Sequence, residues 1–261
     1  MAVSSADKAF RDIAVVGGGC YGSFYAGQLA AARARGALTF RQILVVDRNP
    51  QCTVATLPPD DRRRLVGADW GAFFDQWLGG GAGEGDAIVP SPLMPHLMFE
   101  WLERRARARW PERSIERIAL DTSGGTPYDV LHADGTRYLS YADWICPVHC
   151  IEPMTCPMIH APRTWEMRDA VGELARQRAR DRRVAGPLVF HCRHRAFGVG
   201  MFDVTEVLEA DRLLAEAGAV AGPFEAVVGT ISSCHGAVSA LAVSEARIAE
   251  PSPVLYSGIT R

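Results

Sequence analysis

Lysine is almost missing from this chain: among 28 basic residues in 261, Lys8 is the one lysine and the others are arginines. A large net charge is missing too. At −2 there is no global field to draw the protein toward nucleic acid or an anionic membrane. No stretch approaches the roughly 18 consecutive apolar residues that a membrane helix needs. The start, MAVSSADKAFRD, is polar and short, so no secretory leader is read there and a cytoplasmic protein is expected. Repeats of fixed period and low-complexity tracts are not found, nor are G-x-S-x-G, H-E-x-x-H or P-loop motifs.

What is present is an ordinary globular composition. With 48% hydrophobic residues, 261 residues suffice for one large α/β domain or two small ones. The seven cysteines are odd in number. In a reducing compartment they read as thiols or ligands in preference to a disulfide framework.

The N-terminal third alternates strand and helix signals. RDIAVV is a buried strand, GGGCYG a glycine turn, and the run from about Gly19 to Arg35 a helix with Gly36 as its C′ residue. FRQILVVD is a second buried strand, RRLVG a short third, AFFDQWL a helix and DAIVP a fourth strand stopped by Pro90. LMPHLMFEWLERRARARW reads as a helix with its arginines at the end that suits the dipole. Further on, YDVLHADGTRYLSY is a hairpin turning at Asp134-Gly135, and ADWIC a strand leading into a cysteine-rich segment. A helix, the strand PLVFHC, a second helix and the strand FEAVVGTI follow; beyond Ala237 the pattern is weak. The arginine run from Arg176 to Arg183 reads as the solvated end of a helix, and without aromatic interleaving it counts against a nucleic-acid partner.

Gly17-Gly18-Gly19-Cys20-Tyr21-Gly22 fits G-x-G-x-x-G, and its context supplies the specificity that the bare pattern lacks. It follows a buried strand, opens a helix, and is followed by a strand ending in an acid, Asp47. This stretch resembles the Rossmann NAD(P)/FAD-binding superfamily, closely over about Asp12 to Arg48 and loosely as far as Trp110. The resemblance implies a pyrophosphate on the helix N-terminus, with Gly17 making the tight turn, Gly19 admitting the phosphates and Gly22 allowing helix and strand to pack. Gly18, Cys20 and Tyr21 complete the turn, and Asp47 would accept from an adenosine ribose. Arg48 could meet a 2′-phosphate, so NADP stays open beside NAD. FAD enzymes usually need more chain than this to wrap the flavin, which favours a nicotinamide cofactor. S-adenosylmethionine domains usually carry an acid just before a related turn, where this chain has Val15 and Val16.

The segment ICPVHCIEPMTCPMIHAP packs three cysteines, two histidines, a glutamate and four prolines into a stretch that can be neither regular helix nor regular strand. Cys146, Cys150 and Cys156 are spaced C-x3-C-x5-C, unlike the ferredoxin run or the usual zinc pair. Four thiolates suit an iron–sulfur cluster or zinc, and Cys192 is read as the fourth ligand. Inert buried thiols and a redox disulfide are the competing readings. Cys146, His191-Cys192 and Cys234-His235 all fall at strand ends, where an open α/β sheet binds ligands. If the strands are parallel, they converge on one rim beside the dinucleotide.

The expected fold is therefore α/β: a Rossmann-like, doubly wound, mostly parallel sheet with helices on both faces, an inserted β-hairpin and a Cys-rich loop. Residues 1–110 would form the dinucleotide half and 111–261 the second half. The expected function is an NAD(P)-dependent oxidoreductase with a Cys/His metal or Fe–S centre, acting on a small-molecule substrate, with His149, Glu152, His191 and His235 as acid–base candidates. A nucleotide-binding redox or metal sensor and a transferase with a nucleotide-like substrate are the alternatives. Homodimerisation is left open.

Overall fold

A computed structural model describes residues 9–147 and 150–245. His149 lies outside the described residues. The elements run β1 (Ala9–Val16), α1 (Cys20–Ala34), β2 (Thr39–Asp47), β3 (Arg63–Gly67), α2 (Trp70–Gly79), β4 (Ala87–Val89), α3 (Leu97–Arg109), β5 (Ile115–Ile118), β6 (Tyr128–Leu131), β7 (Arg137–Ser140), β8 (Thr155–Cys156), β9 (Ala161–Pro162), α4 (Met167–Arg178), β10 (Val184–His191), β11 (Arg193–Ala196), β12 (Val199–Asp203), α5 (Val204–Ala219), β13 (Phe224–Ile231) and β14 (His235–Val243).

The strands form two large sheets. The first has the order β11-β12-β4-β1-β2-β3, and the second β10-β13-β14-β7-β6 with β5 also paired to β14. Alternation along each strand sorts side chains to opposite faces. Ile13, Val15, Ile43 and Val45 of the first sheet pack with Ala26, Leu29 and Ala32 of α1. Ala14, Val16, Leu44 and Val46 face the other way, into a core shared with α2, α3, α5 and the inner face of the second sheet, where Leu188, Phe190, Ala226 and Val228 point. The outer face of the second sheet, with Val227 and Val238, is covered by Met167, Val171 and Leu174 of α4. The molecule is thus five layers, helix, sheet, helices, sheet, helix. Phe74, Phe99, Phe190 and Phe202 are fully buried in the shared middle, each burial being worth about 1.5–3 kcal/mol.

This arrangement corrects the expected single doubly wound, mostly parallel sheet. Parallel pairing holds for β3-β2-β1-β4 and for β10 with β13. Every other pairing is antiparallel. The reason is connection length. Parallel neighbours need a crossover of a dozen or more residues, whereas tight turns force reversal. Ser232-Ser233-Cys234 is such a turn, and it makes β14 antiparallel to β13 along its whole length. Gly198, in the left-handed region at φ 76°, helps β11 turn back into β12, which then runs antiparallel to β4. The weak pattern beyond Ala237 concealed β14, the strand on which the second sheet is assembled. The hairpin β6–β7 forms as expected, and β7 pairs with β14. ADWIC is not a strand.

Arginines fasten the edges. Arg178, at the end of α4, and Arg182 both bond Glu225 on β13, at 2.5 Å for the Arg178 Nε contact. Burial acts to raise the Glu225 pKa, but those hydrogen bonds outweigh it and hold it low. Arg183 donates to the carbonyls of Ala217 and Gly222. The arginine run is therefore in good part a clamp between α4, β13 and the end of α5. No helix among the described residues is long and apolar enough to cross a membrane.

The glycine turn gives a sharp test of packing. A Cβ on Gly22 would overlap the Gly17 carbonyl oxygen, while one on Gly19 would meet nothing within 4 Å. Gly22→Ala should lower unfolding free energy by about 2 kcal/mol or more, and Gly19→Ala should stay within about 0.5 kcal/mol of wild type. Urea denaturation of both variants checks this; equal stability would mean that the turn relaxes freely.

Candidate functional site

The glycine turn and Asp47 form one hydrogen-bonded unit. Gly17 adopts φ 84°, which favours glycine, and donates its N–H to the Val46 carbonyl. Both carboxylate oxygens of Asp47 are engaged, one by the Gly18 N–H at 2.6 Å and the other by the Asn49 N–H at 2.8 Å. Gly18 is buried, its carbonyl accepts from Val54, and the Cys52 sulfur lies where its Cβ would be. Asp47, Gly17, Gly18 and Gly22 thus shape the turn. Gly19, Cys20 and Tyr21 are the exposed positions that a ligand could meet. No side chain caps α1 and no acid occupies its first turn, although the Asp47 carboxylate sits at the turn that precedes it. Arg48 is exposed, 4.0 Å from Asp69.

The second group of residues gathers where the two sheets meet. β10 and β13 are parallel, so their ends, His191 and Ile231, lie side by side. Past those ends, Cys192 continues into β11 of the other sheet, and Ser232 to Cys234 turn back into β14. The cysteine loop drapes over this junction. Glu152 ties it down, with one carboxylate oxygen accepting from the Ser232 hydroxyl at 2.6 Å and the other from the Ser233 N–H at 2.7 Å. Glu152 sits at φ 50°, a strained value for a residue with a side chain. The His194 ring lies 2.5 Å, through Nδ1, from the Cys150 carbonyl and adds a second tie.

Under the loop is a small cavity of about 100 Å³ lined by Cys146, Cys150, Cys156 and Cys234, together with Glu152, His194 and His235. Three of the four cysteines are the expected ones. The fourth is Cys234 rather than Cys192, which lines a neighbouring, larger cavity. The four thiols are free. Among the described residues no three His, Cys, Asp or Glu side chains are drawn together as a formed metal site.

N–H donors surround these sulfurs. The Trp165 indole N–H donates to Cys234 Sγ at 3.4 Å, and the Glu152 backbone N–H to Cys150 Sγ at 3.3 Å. The Trp144 indole nitrogen is buried without a partner at hydrogen-bond distance. It acts at longer range on Cys146, pulling its pKa down. Burial, with the neighbouring Cys150 and Cys156, wins there and leaves the Cys146 thiol raised. Burial likewise pushes Cys234 up to about 11 and Cys192 higher still. A neutral thiol is a weak acceptor, whereas a thiolate is a strong one. These donors favour a thiolate, while burial favours the neutral thiol and prevails at Cys146 and Cys234.

Histidines line the wall between the cavities. His235 Nδ1 is 2.9 Å from Ser140 Oγ, and its Nε2 is 3.9 Å from Cys146 Sγ. Ser140 Oγ also lies 2.8 Å from the Ala142 carbonyl. With the Ser140 proton on that carbonyl, the matching tautomer of His235 carries its proton on Nδ1 and turns a bare Nε2 toward Cys146; with the Ser140 proton on His235, the roles reverse. Burial lowers the His235 pKa. His191 lies outside both cavities; burial, then Arg193 and Arg168, bring it down to about 4. The sequence places Cys234 at a strand end on the rim but reads Cys192 as the fourth ligand; the structure puts Cys234 in that place. The signal that could have found Cys234 is its place in a turn between two strongly apolar strands.

Residues 98–244, more than half of the chain, match the family AF_1314_C, described as "Uncharacterized protein, C-terminal domain". The chain belongs to that family, whose matched region begins within α3 and ends just after β14, and so contains all four cavity cysteines. No curated protein and no solved structure matches the chain.

Thiol chemistry follows from this burial. In metal-free protein at neutral pH, iodoacetamide should modify exposed Cys20 first. Cys234 should label slowly and accelerate only as pH rises toward about 11, because the thiolate is the nucleophile. Peptide mapping by mass spectrometry follows each site; fast labelling of Cys234 at pH 7 would contradict its burial.

Proposed function

We propose that the protein is a nucleotide-dependent redox protein in which Cys146, Cys150, Cys156 and Cys234 hold an iron–sulfur cluster or a zinc ion. The observation that carries this reading is the convergence of four thiols on one small cavity furnished with N–H donors. The donor set fits both groups, since each is bound by four thiolates. To close on an ion the cysteine loop would have to draw its sulfurs together, while Glu152 holds it to the Ser232–Ser233 turn. When bound, a cluster would supply one-electron transfer, whereas zinc held by these four thiolates would be a closed, structural centre. The residues of this chain orient and insulate the group. The indole N–H groups stabilise negative sulfur, His235 accepts or returns a proton at Nε2, and the loop restricts water.

The nucleotide half of the proposal rests on α1. Its uncapped N-terminus, the open space above Gly19 and the parallel strands β1, β2 and β4 around it suit a pyrophosphate. NAD is favoured over NADP because the Asp47 carboxylate would repel a 2′-phosphate. The Tyr25 ring joins the two halves: it follows the turn on α1 and lines the same cavity as Cys192 and His194. Turnover of NADH with an added acceptor would make the protein an enzyme; tight binding without turnover would make it a sensor.

Two measurements test the proposal. Protein purified without oxygen should contain stoichiometric iron or zinc, lost in Cys234→Ser and retained in Cys192→Ser. Sub-stoichiometric metal in wild type would return the cysteines to the role of buried thiols. Separately, calorimetry should show NAD binding more tightly than NADP, and Gly19→Val should weaken NAD by at least about tenfold, or 1.4 kcal/mol. Equal affinity in wild type and Gly19→Val would remove the nucleotide from this turn.

A further inference from the structure

The larger cavity, of about 540 Å³, opens between the end of β4, the start of β14 and the β6–β7 hairpin. Its size suits a small molecule. Its lining is unusual in one respect: among the described residues no Asp, Glu, Lys or Arg contributes to it. That contrasts with a chain in which 22% of residues are charged. The walls carry three tyrosine rings, Tyr25, Tyr128 and Tyr138, and the imidazole of His132, whose centroid is 4.6 Å from that of Tyr138. Ser91, Thr230 and Ser232 are the other polar residues of the lining that carry hydroxyls, with Ser140.

Such a lining selects by charge. Moving an ionised group into a site without a counter-ion costs several kcal/mol, whereas hydroxyls and ring faces accept a flat, neutral molecule at little desolvation penalty. Aromatic faces also favour planar partners through stacked and edge-on contacts. We propose that this cavity binds an uncharged, planar aromatic ring system of two or three rings bearing a hydroxyl or carbonyl group, and that it discriminates against anionic analogues. His194 and His235 line both this cavity and the cysteine cavity, so such a ring would sit one residue away from Cys146. The inference goes beyond the redox reading and does not depend on a metal.

Naphthol, an uncharged fluorescent bicycle that does not alkylate thiols, is a suitable probe, with its ring-sulfonated analogue as the charged match. Fluorescence anisotropy should show one naphthol per chain, bound at least about tenfold tighter than the sulfonate. Tyr128→Ala and Tyr138→Ala should each weaken naphthol by about threefold or more. Tyr128 is 46% exposed on an edge strand, so its truncation keeps the test valid if Tyr138→Ala fails to fold. Sulfonate binding as tight as naphthol, or no binding by either, overturns the inference. The same titration on Cys234→Ser separates the two readings, because metal should be lost there while naphthol binding is unchanged. Displacement of naphthol by NADH or FAD would identify the ring as a cofactor's own.

Discussion

The site depends on one short stretch of chain that belongs to both sheets. β10 ends at His191 in the second sheet, and after Cys192 the chain becomes the β11–β12 hairpin at the edge of the first. The Cys192 N–H donates to the Ile231 carbonyl at 2.6 Å, holding the crossing against β13. Phe190 and Phe202, from strands of different sheets, pack with ring centroids 5.6 Å apart just behind it. Without this crossing the sheets would share only helices. With it, the end of β4, the ends of β10 and β13 and the start of β14 are fixed relative to one another, and the two cavities occupy the space they leave.

The cysteine loop is a second constraint laid over the first. Its prolines prevent it from joining either sheet, so its position must come from side chains. Glu152 and His194 supply it, one reaching the Ser232–Ser233 turn and the other lying against the Cys150 carbonyl. The loop also bonds within itself: β8 and β9 pair antiparallel, the His160 N–H donates to the Cys156 carbonyl and the Arg163 N–H to the Met154 carbonyl. The turn that anchors the loop also presents Cys234, so anchoring and the fourth thiol come from the same few residues.

Local signals in the sequence were readable where one element dictates its own structure. The helices α1, α2, α3, α4 and α5, the strands β1, β2 and β4, and the turn at Asp134-Gly135 follow from apolar periodicity and turn chemistry. Pairing direction was not readable, because it is decided by connections. FEAVVGTI reads as a strand with a weak pattern after it, yet Ser232 to Cys234 is the middle of a hairpin whose second arm, β14, orders the second sheet. The expectation that cysteines gather at strand ends held for the junction of β10 and β13, which are parallel, and failed for Cys146, which follows no strand. Cys192 and Cys234 both lie near the junction, and periodicity cannot say which faces the loop. That is settled by the tight turn, which carries Cys234 under the loop, and by the crossing to β11, which carries Cys192 away from it.

Trp165 has a consequence of a different kind. Its indole donates to the Cys234 sulfur and stacks on Tyr141, with centroids 5.6 Å apart and planes 22° from parallel. An indole excited state is sensitive to a sulfur in direct contact with its nitrogen, and to any metal that sulfur carries. The Cys234 sulfur therefore has a native optical reporter beside it. Its emission, separated from that of the other five tryptophans by comparison with Trp165→Phe, should respond to a change in the state of the Cys234 sulfur.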